Sequence, residues 1–142
     1  MQRIVINVCY GGFGLSHYAI MKYAELKGIK VYAYVPKSDR PIDKEYVPYV
    51  KSRFDKKPYF LHYASIKKDV ITNSELNKYY VDLKVEDNRD DPALIKVVEE
   101  LGESAGGEFA KLKIVEIPDD VEWEISEYDG WETIEEKHRS WS

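Results

Sequence analysis

The sequence predicts an α+β fold: an N-terminal βαβ unit, a mixed sheet of five or six strands, two main helices, and a C-terminal hairpin leading into a short helix. Three observations carry this reading. Residues 3–35 run strand, glycine-rich turn, helix, glycine, strand. Residues 90–101 form a capped amphipathic pattern. Residues 112–117 read as a strand, and after a Pro-Asp-Asp turn residues 121–128 alternate polar and apolar side chains.

Arg3 to Tyr10 is β-branched and almost continuously apolar, the pattern of a strand buried on both faces. Gly11-Gly12-Phe13-Gly14 follows, and Ser16 is placed to cap a helix that shows Ile20, Tyr23 and Ala24 on one face. Gly28 stands where a helix gives way to a left-handed residue, and Ile29 to Val35 reads as the second strand, parallel to the first. Residues 36–58 hold four prolines among dense charges and read as a projecting insertion or loop. Tyr59 to Ala64 and the alternating Tyr79 to Val85 read as further strands.

Asp90 and Asp91 before Pro92 mark a helix start, and Leu94, Val97, Val98 and Leu101 repeat at i, i+3, i+4 and i+7. Gly102 and Gly106-Gly107 close that helix. Leu112 to Ile117 is a strand, and Val121 to Tyr128 is expected to hairpin back onto it. Asp129-Gly130 is a second turn. Trp131 to Trp141 reads as a short helix or a final strand; Trp131, Ile134 and His138 share a helical face, which tips the reading to helix.

The chain has 142 residues, 44% apolar and 33% charged, which fits one domain spanning residues 1–142 and excludes wholesale disorder. No apolar run reaches membrane-spanning length, the N-terminus lacks the apolar stretch of a signal peptide, and Cys9 is the single cysteine. A cytoplasmic protein without internal disulfides, and with no membrane partner, is expected. Charge is uneven. Residues 116–136 carry ten Asp/Glu and no Lys/Arg; Lys137 and Arg139 bring the acidic hairpin and tail, 116–142, to −8, against +3 for residues 1–115. Such a tail repels phosphates, so the charge distribution argues against long nucleic acid as a partner.

Chemistry-bearing motifs are few. The glycine turn between a strand end and a helix start is a candidate anion site, but it lacks the Lys-Ser/Thr ending of a nucleotide triphosphatase and the spacing of a dinucleotide fingerprint. It is equally readable as a tight turn that needs glycine backbone angles. Tyr10 and Phe13 flank it and either stack on a base or pack inward. His17, His62 and His138 are scattered, no metal-ligand spacing occurs, and no cofactor is expected. Arg89, in Asn88-Arg89-Asp90-Asp91, either grips a phosphate or pairs with a neighbouring aspartate. Arg139 and Trp141 end the chain in a segment expected to dock on the body or on a partner subunit.

The strings VINVCYGGFGLS, DPALIKVVEELGESAGGEFAKLKIVEIPDDVEWEI and EYDGWETIEEKHRSW resemble small phage and prophage proteins. Among characterised families the chain is similar to the first Thoeris anti-defence family, viral sponges that bind, without cleaving, the cyclic ADP-ribose signal of bacterial TIR-domain enzymes. The resemblance implies a non-enzymatic homo-oligomer, a dimer or trimer of dimers, acting in the host cytoplasm on a cyclic nucleotide-type ligand. On that reading Tyr10, Gly11, Gly12 and Phe13 form a wall and phosphate turn. Asn88, Arg89 and Arg139 supply polar and ionic contacts, and Trp131 or Trp141 closes the site. The rivals are a small phosphodiesterase or nucleotide hydrolase, with His17 as its base, and an accessory protein that binds a host protein through the acidic tail.

Overall fold

The apolar run near the N-terminus forms β1 (Gln2–Asn7), whose Ile4, Val5 and Ile6 are all buried, as a strand covered on both faces requires. Its partner is β6 (Leu112–Ile117), antiparallel, with Gln2 opposite Ile117 and Asn7 opposite Leu112. The expected parallel βαβ unit and mixed sheet are thereby corrected: every strand pair among the described residues is antiparallel. A continuous apolar run states that both faces are covered. It does not state which strand lies alongside. The fold class itself stands as α+β, with three α-helices, eight strands and a C-terminal hairpin among the described residues.

The computed structural model describes residues 1–37, 45–49, 61–107 and 109–137. These fall into two compact units, Met1–Lys27 with Lys84–Ser142, and Gly28–Leu83.

In the first unit, α1 (His17–Leu26) begins where Ser16 accepts a hydrogen bond from the Ala19 N–H. Gly28, at φ +72, follows the Lys27 cap in the left-handed region that glycine tolerates best. The second main helix, α3 (Pro92–Leu101), starts at an Asp91 cap that accepts from the Ala93 N–H, with Pro92 in the first turn. It buries Leu94, Ile95, Val97 and Val98 and lies against α1, β1 and β6. Full burial of each such side chain is worth about 1.5–3 kcal/mol, so this helix is the main apolar support of the unit. Gly102, at φ +55, ends it.

The hairpin at the C-terminal end is β7 (Trp123–Tyr128) with β8 (Trp131–Glu136), joined at Asp129-Gly130. Two expectations are corrected here. Residues 123–128 pair with β8, not with β6, and residues 131–136 are strand, not helix. The helical reading failed because β8 inverts the usual pattern, with Glu132 buried and Trp131 partly exposed. His138, Arg139 and Trp141 lie outside the described residues.

The second unit is a four-stranded antiparallel sheet in the order β4–β2–β3–β5, formed by β2 (Tyr32–Pro36), β3 (Glu45–Pro48), β4 (His62–Ala64) and β5 (Ile71–Thr72). Glu45–Pro48 falls inside the stretch expected to be a loop and takes an interior place in this sheet; residues 38–44 and 50–58 of that stretch are outside the described residues. α2 (Asn73–Tyr79) follows, opened by Thr72 and Glu75, each of which bonds the other's backbone N–H. The strand expected over residues 79–85 is corrected: Tyr79 ends α2, Tyr80 makes a single bridge to Ala64, and Val85–Asp87 is a 3₁₀ turn. Among the described residues no helix is long and apolar enough to cross a membrane.

Tyr23, buried in α1, donates its hydroxyl to Asp91 at 2.8 Å, and Lys27 pairs with the same carboxylate oxygen at 2.8 Å. Burial first, then the hydrogen bond to Asp91 and its charge, push the Tyr23 hydroxyl up to about 12 from 10.0. A folded state that holds this proton more tightly than the unfolded chain is fully stabilised by it below about pH 10. That contribution falls away as pH rises through 12. Denaturation curves should therefore show the protein losing about 1–2 kcal/mol between pH 10 and 12. Tyr23→Phe should cost about 1 kcal/mol at neutral pH and lose less over the same alkaline range. Equal alkaline loss in both would remove Tyr23 from the account.

Candidate functional site

The turn at Asp129-Gly130 sets the site. Both residues have positive φ, +51 and +88, the two-residue geometry that matches the twist of a hairpin. It makes Tyr128 and Trp131 the terminal cross-strand pair, followed by Ser126 with Thr133 and Glu124 with Glu135. Because side chains alternate, these six share the outer face, while Trp123, Ile125, Ile134 and Glu132 belong to the other. Tyr10 leans against Trp131 with ring centroids 5.1 Å apart and planes tilted by 50°. Tyr10, Ser126, Tyr128, Trp131 and Thr133 line a groove of about 160 Å³. Tyr128 is 80% exposed, Tyr10 66% and Trp131 38%, so three ring systems lie open to solvent.

Glycines bring Tyr10 there. A Cβ on Gly130 would run into the backbone nitrogen of Gly12, and one on Gly11 would run into the Phe109 carbonyl. Gly12 itself sits at φ +90. The glycine turn and the hairpin turn thus pack backbone against backbone. This use of Gly11 and Gly12 corrects the phosphate-turn reading. The Gly11 N–H donates to the Cys9 carbonyl, and the Gly12 nitrogen faces Gly130.

Asn7 staples the two turns. Its Nδ2 donates to the Cys9 and Gly130 carbonyls, both at 2.8 Å, and its Oδ1 accepts from the Lys111 N–H at 2.9 Å. Its own N–H donates to Glu132 Oε1 at 2.8 Å. Arg89 completes the arrangement. Its Nη1 and Nη2 donate to Glu132 Oε1 and Oε2 at 2.7 and 2.9 Å, Nη1 also donates to the Val5 carbonyl, and Nε donates to the Glu86 carbonyl. The Phe13 ring covers the guanidinium at 3.7 Å. Arg89 is 7% exposed and Glu132 5%.

Of the residues singled out from sequence, Tyr10 and Trp131 meet in the groove, and Gly11 and Gly12 position Tyr10. Phe13 packs inward on Arg89. Arg89 pairs with neither Asp90 nor Asp91 but with Glu132, and it turns away from any external phosphate. Asn88 donates to the Lys84 carbonyl and stands apart from the groove. Arg139 is outside the described residues. Sequence reasoning missed Tyr128, Ser126 and Thr133, which the Asp129-Gly130 hairpin signal places opposite and beside Trp131 once β8 is read as a strand.

Two other places lack the makings of a site. A larger open cleft of about 340 Å³ is lined by Met1, Arg3, Asp90, Pro92, Ile95, Lys96 and Glu99. Its cations already have anions: Arg3 with Glu99, the Met1 amino group with Asp119, and Lys96 with Glu100 at 4.0 Å. His17, the candidate base, opens α1, and burial holds its imidazole below the ordinary value. Among the described residues no group of three or more His, Cys, Asp or Glu is placed to hold a metal ion. No family model, curated protein or solved structure matches the chain.

Breaking a buried ion pair leaves an uncompensated charge and costs about 3–5 kcal/mol. Urea denaturation should show that loss for Arg89→Met and for Glu132→Gln separately. The double variant Arg89→Met/Glu132→Leu should recover much of it, because neither charge is then stranded. A double variant as unstable as the sum of the two would contradict the pairing.

Proposed function

We propose that the protein is a non-enzymatic binder that sequesters a cyclic nucleotide-type immune signal, a cyclic ADP-ribose isomer, by stacking its base in the aromatic groove. The observation that carries this is the open set of Tyr10, Tyr128 and Trp131 rings, edged by the hydroxyls of Ser126 and Thr133. Three exposed rings offer stacking surface to a planar base. Flanking hydroxyls can accept from or donate to its exocyclic groups. The resemblance to the Thoeris anti-defence sponges supplies the ligand class and the setting, the host cytoplasm.

The groove supplies no cation for the ligand's phosphates; from the sequence, Arg139 is the residue for that task. A groove this open leaves much of a ligand in water, and sequestration requires affinity well beyond one stacked ring. Homo-oligomerisation, with a second copy covering the groove, answers both needs and accords with the dimers or trimers of dimers that the resemblance implies.

Thermal denaturation with cyclic ADP-ribose isomers, ADP-ribose and cyclic oligonucleotides tests the reading. A ligand at 100 times its dissociation constant stabilises by about 2.7 kcal/mol, a shift of a few degrees at this size. Trp131→Ala should weaken binding roughly five- to hundredfold while leaving the unfolding midpoint of the free protein nearly unchanged. Heating the complex should return the ligand intact. Recovery of a cleaved product would replace the sponge by an enzyme, and absence of any shift would remove the ligand class.

A further inference from the structure

We infer that the ring the groove takes is a cationic one, a planar heteroaromatic ring carrying a positive charge on an alkylated or ribosylated nitrogen. This rests on the proposal that the groove stacks one ring of a nucleotide-type ligand, and it specifies the chemistry of that ring.

The lining contains no charged side chain, so selection by charge falls to the ring faces and to the field of the hairpin. The faces of Tyr10, Tyr128 and Trp131 carry the negative side of the aromatic quadrupole and favour a cation over a neutral ring of the same shape. The field has the same sign. Glu124, Glu127, Asp129, Glu135 and Glu136 lie on the two strands and their turn, and no Lys or Arg occurs between residues 116 and 136. The sixth carboxylate, Glu132, is turned inward and neutralised by Arg89. Asp129 is adjacent to Tyr128, and its backbone angles hold it in the turn. Glu124 and Glu135 share the outer face with the groove, two cross-strand rows from the aromatic pair, about 13 Å along the strands. At that distance salt weakens each of them, so the effect is modest and depends on ionic strength.

Volume sharpens the assignment. About 160 Å³ is well under the 300–1,000 Å³ of sites that enclose a whole drug-sized ligand, so the groove holds one ring and leaves the remainder outside. A polyanionic nucleotide can enter this negative field only ring first. A ring with its own positive charge offsets the repulsion of the phosphates behind it. An arginine side chain of a partner protein is also flat and cationic, but its five N–H donors require acceptors on several sides. The groove offers only the hydroxyls of Ser126, Thr133 and the tyrosines, which favours the alkylated ring.

A matched pair of probes isolates the charge: 1-methylnicotinamide, a permanent cation, and neutral nicotinamide. Titration of each into the full-length protein can be followed on the Trp131 indole N–H resonance, identified as the one absent from Trp131→Phe. The expected result is binding of the cation about three- to tenfold tighter, a preference that shrinks as salt is raised. Replacing the exposed carboxylates together, Glu124→Gln/Asp129→Asn/Glu135→Gln, should pull the two affinities towards each other and leave that for nicotinamide unchanged. Equal affinities in the unaltered protein, or no response to either probe, would overturn the inference. So would arginine amide binding more tightly than 1-methylnicotinamide, which would point to a protein partner instead. If no cyclic ADP-ribose isomer binds while the cationic ring is still preferred, the sequestration reading falls and the ring assignment stands. If an isomer binds at Trp131 and the two probes bind alike, the reverse holds.

Discussion

A single buried carboxylate organises the first unit. Glu132 receives two hydrogen bonds from Arg89 and one from the backbone of Asn7. An ionised carboxylate taken out of water is tolerated only when its lone pairs are filled in this way. Because β8 alternates, fixing Glu132 inward fixes Trp131 and Thr133 outward. A slip of one residue would bury the tryptophan and expose the glutamate, abolishing both the ion pair and the groove. The same guanidinium reaches the Val5 carbonyl of β1, the Glu86 carbonyl and the Phe13 ring. One side chain therefore ties the hairpin to β1 and to the glycine turn. Deleting the acidic tail would accordingly strand Arg89, and loss of a partner in such a deletion would report unfolding as readily as a lost interface.

The glycines and Asn7 extend that constraint to the surface. Gly11, Gly12 and Gly130 let two turns touch through their backbones, and Asn7 fills the polar groups that this contact hides. The outcome is a rigid seat for Tyr10 beside Trp131. Preorganised rings lose little entropy when a flat ligand arrives, which is where an otherwise shallow groove gains affinity.

The tyrosines do two kinds of work. In Gly28–Leu83, Tyr34 is core: it is fully buried, donating to the Ile66 carbonyl and accepting from the Lys68 N–H, with Tyr32, Tyr46 and Tyr79 packed against its cluster. A hydroxyl that finds partners lets a small core use a large ring without stranding a polar atom. In the other unit Tyr10 and Tyr128 are surface, with no such packing duty. The compositional excess is thus partly structural and partly available for recognition.

Local chemistry was legible along the chain. Ser16, Asp91 and Pro92 announce helix starts, Gly28 and Gly102 announce ends, and Asp129-Gly130 announces a tight turn, because each acts on backbone groups within a few residues. The Thr72-Glu75 box is equally local and marks the start of α2 (Asn73–Tyr79). Strand partners were not legible. β1 and β6 are far apart in sequence, and an apolar run is the same whether its neighbour is parallel or antiparallel. The direction of β8 was hidden for a sharper reason. Its period of two is visible only when a glutamate is counted as a core residue, and what makes Glu132 one is an arginine 43 positions earlier in the chain. Signals within a few residues set where the backbone turns, caps and stops; only long-range packing could settle which charge is buried, and with it which face of the hairpin carries the rings.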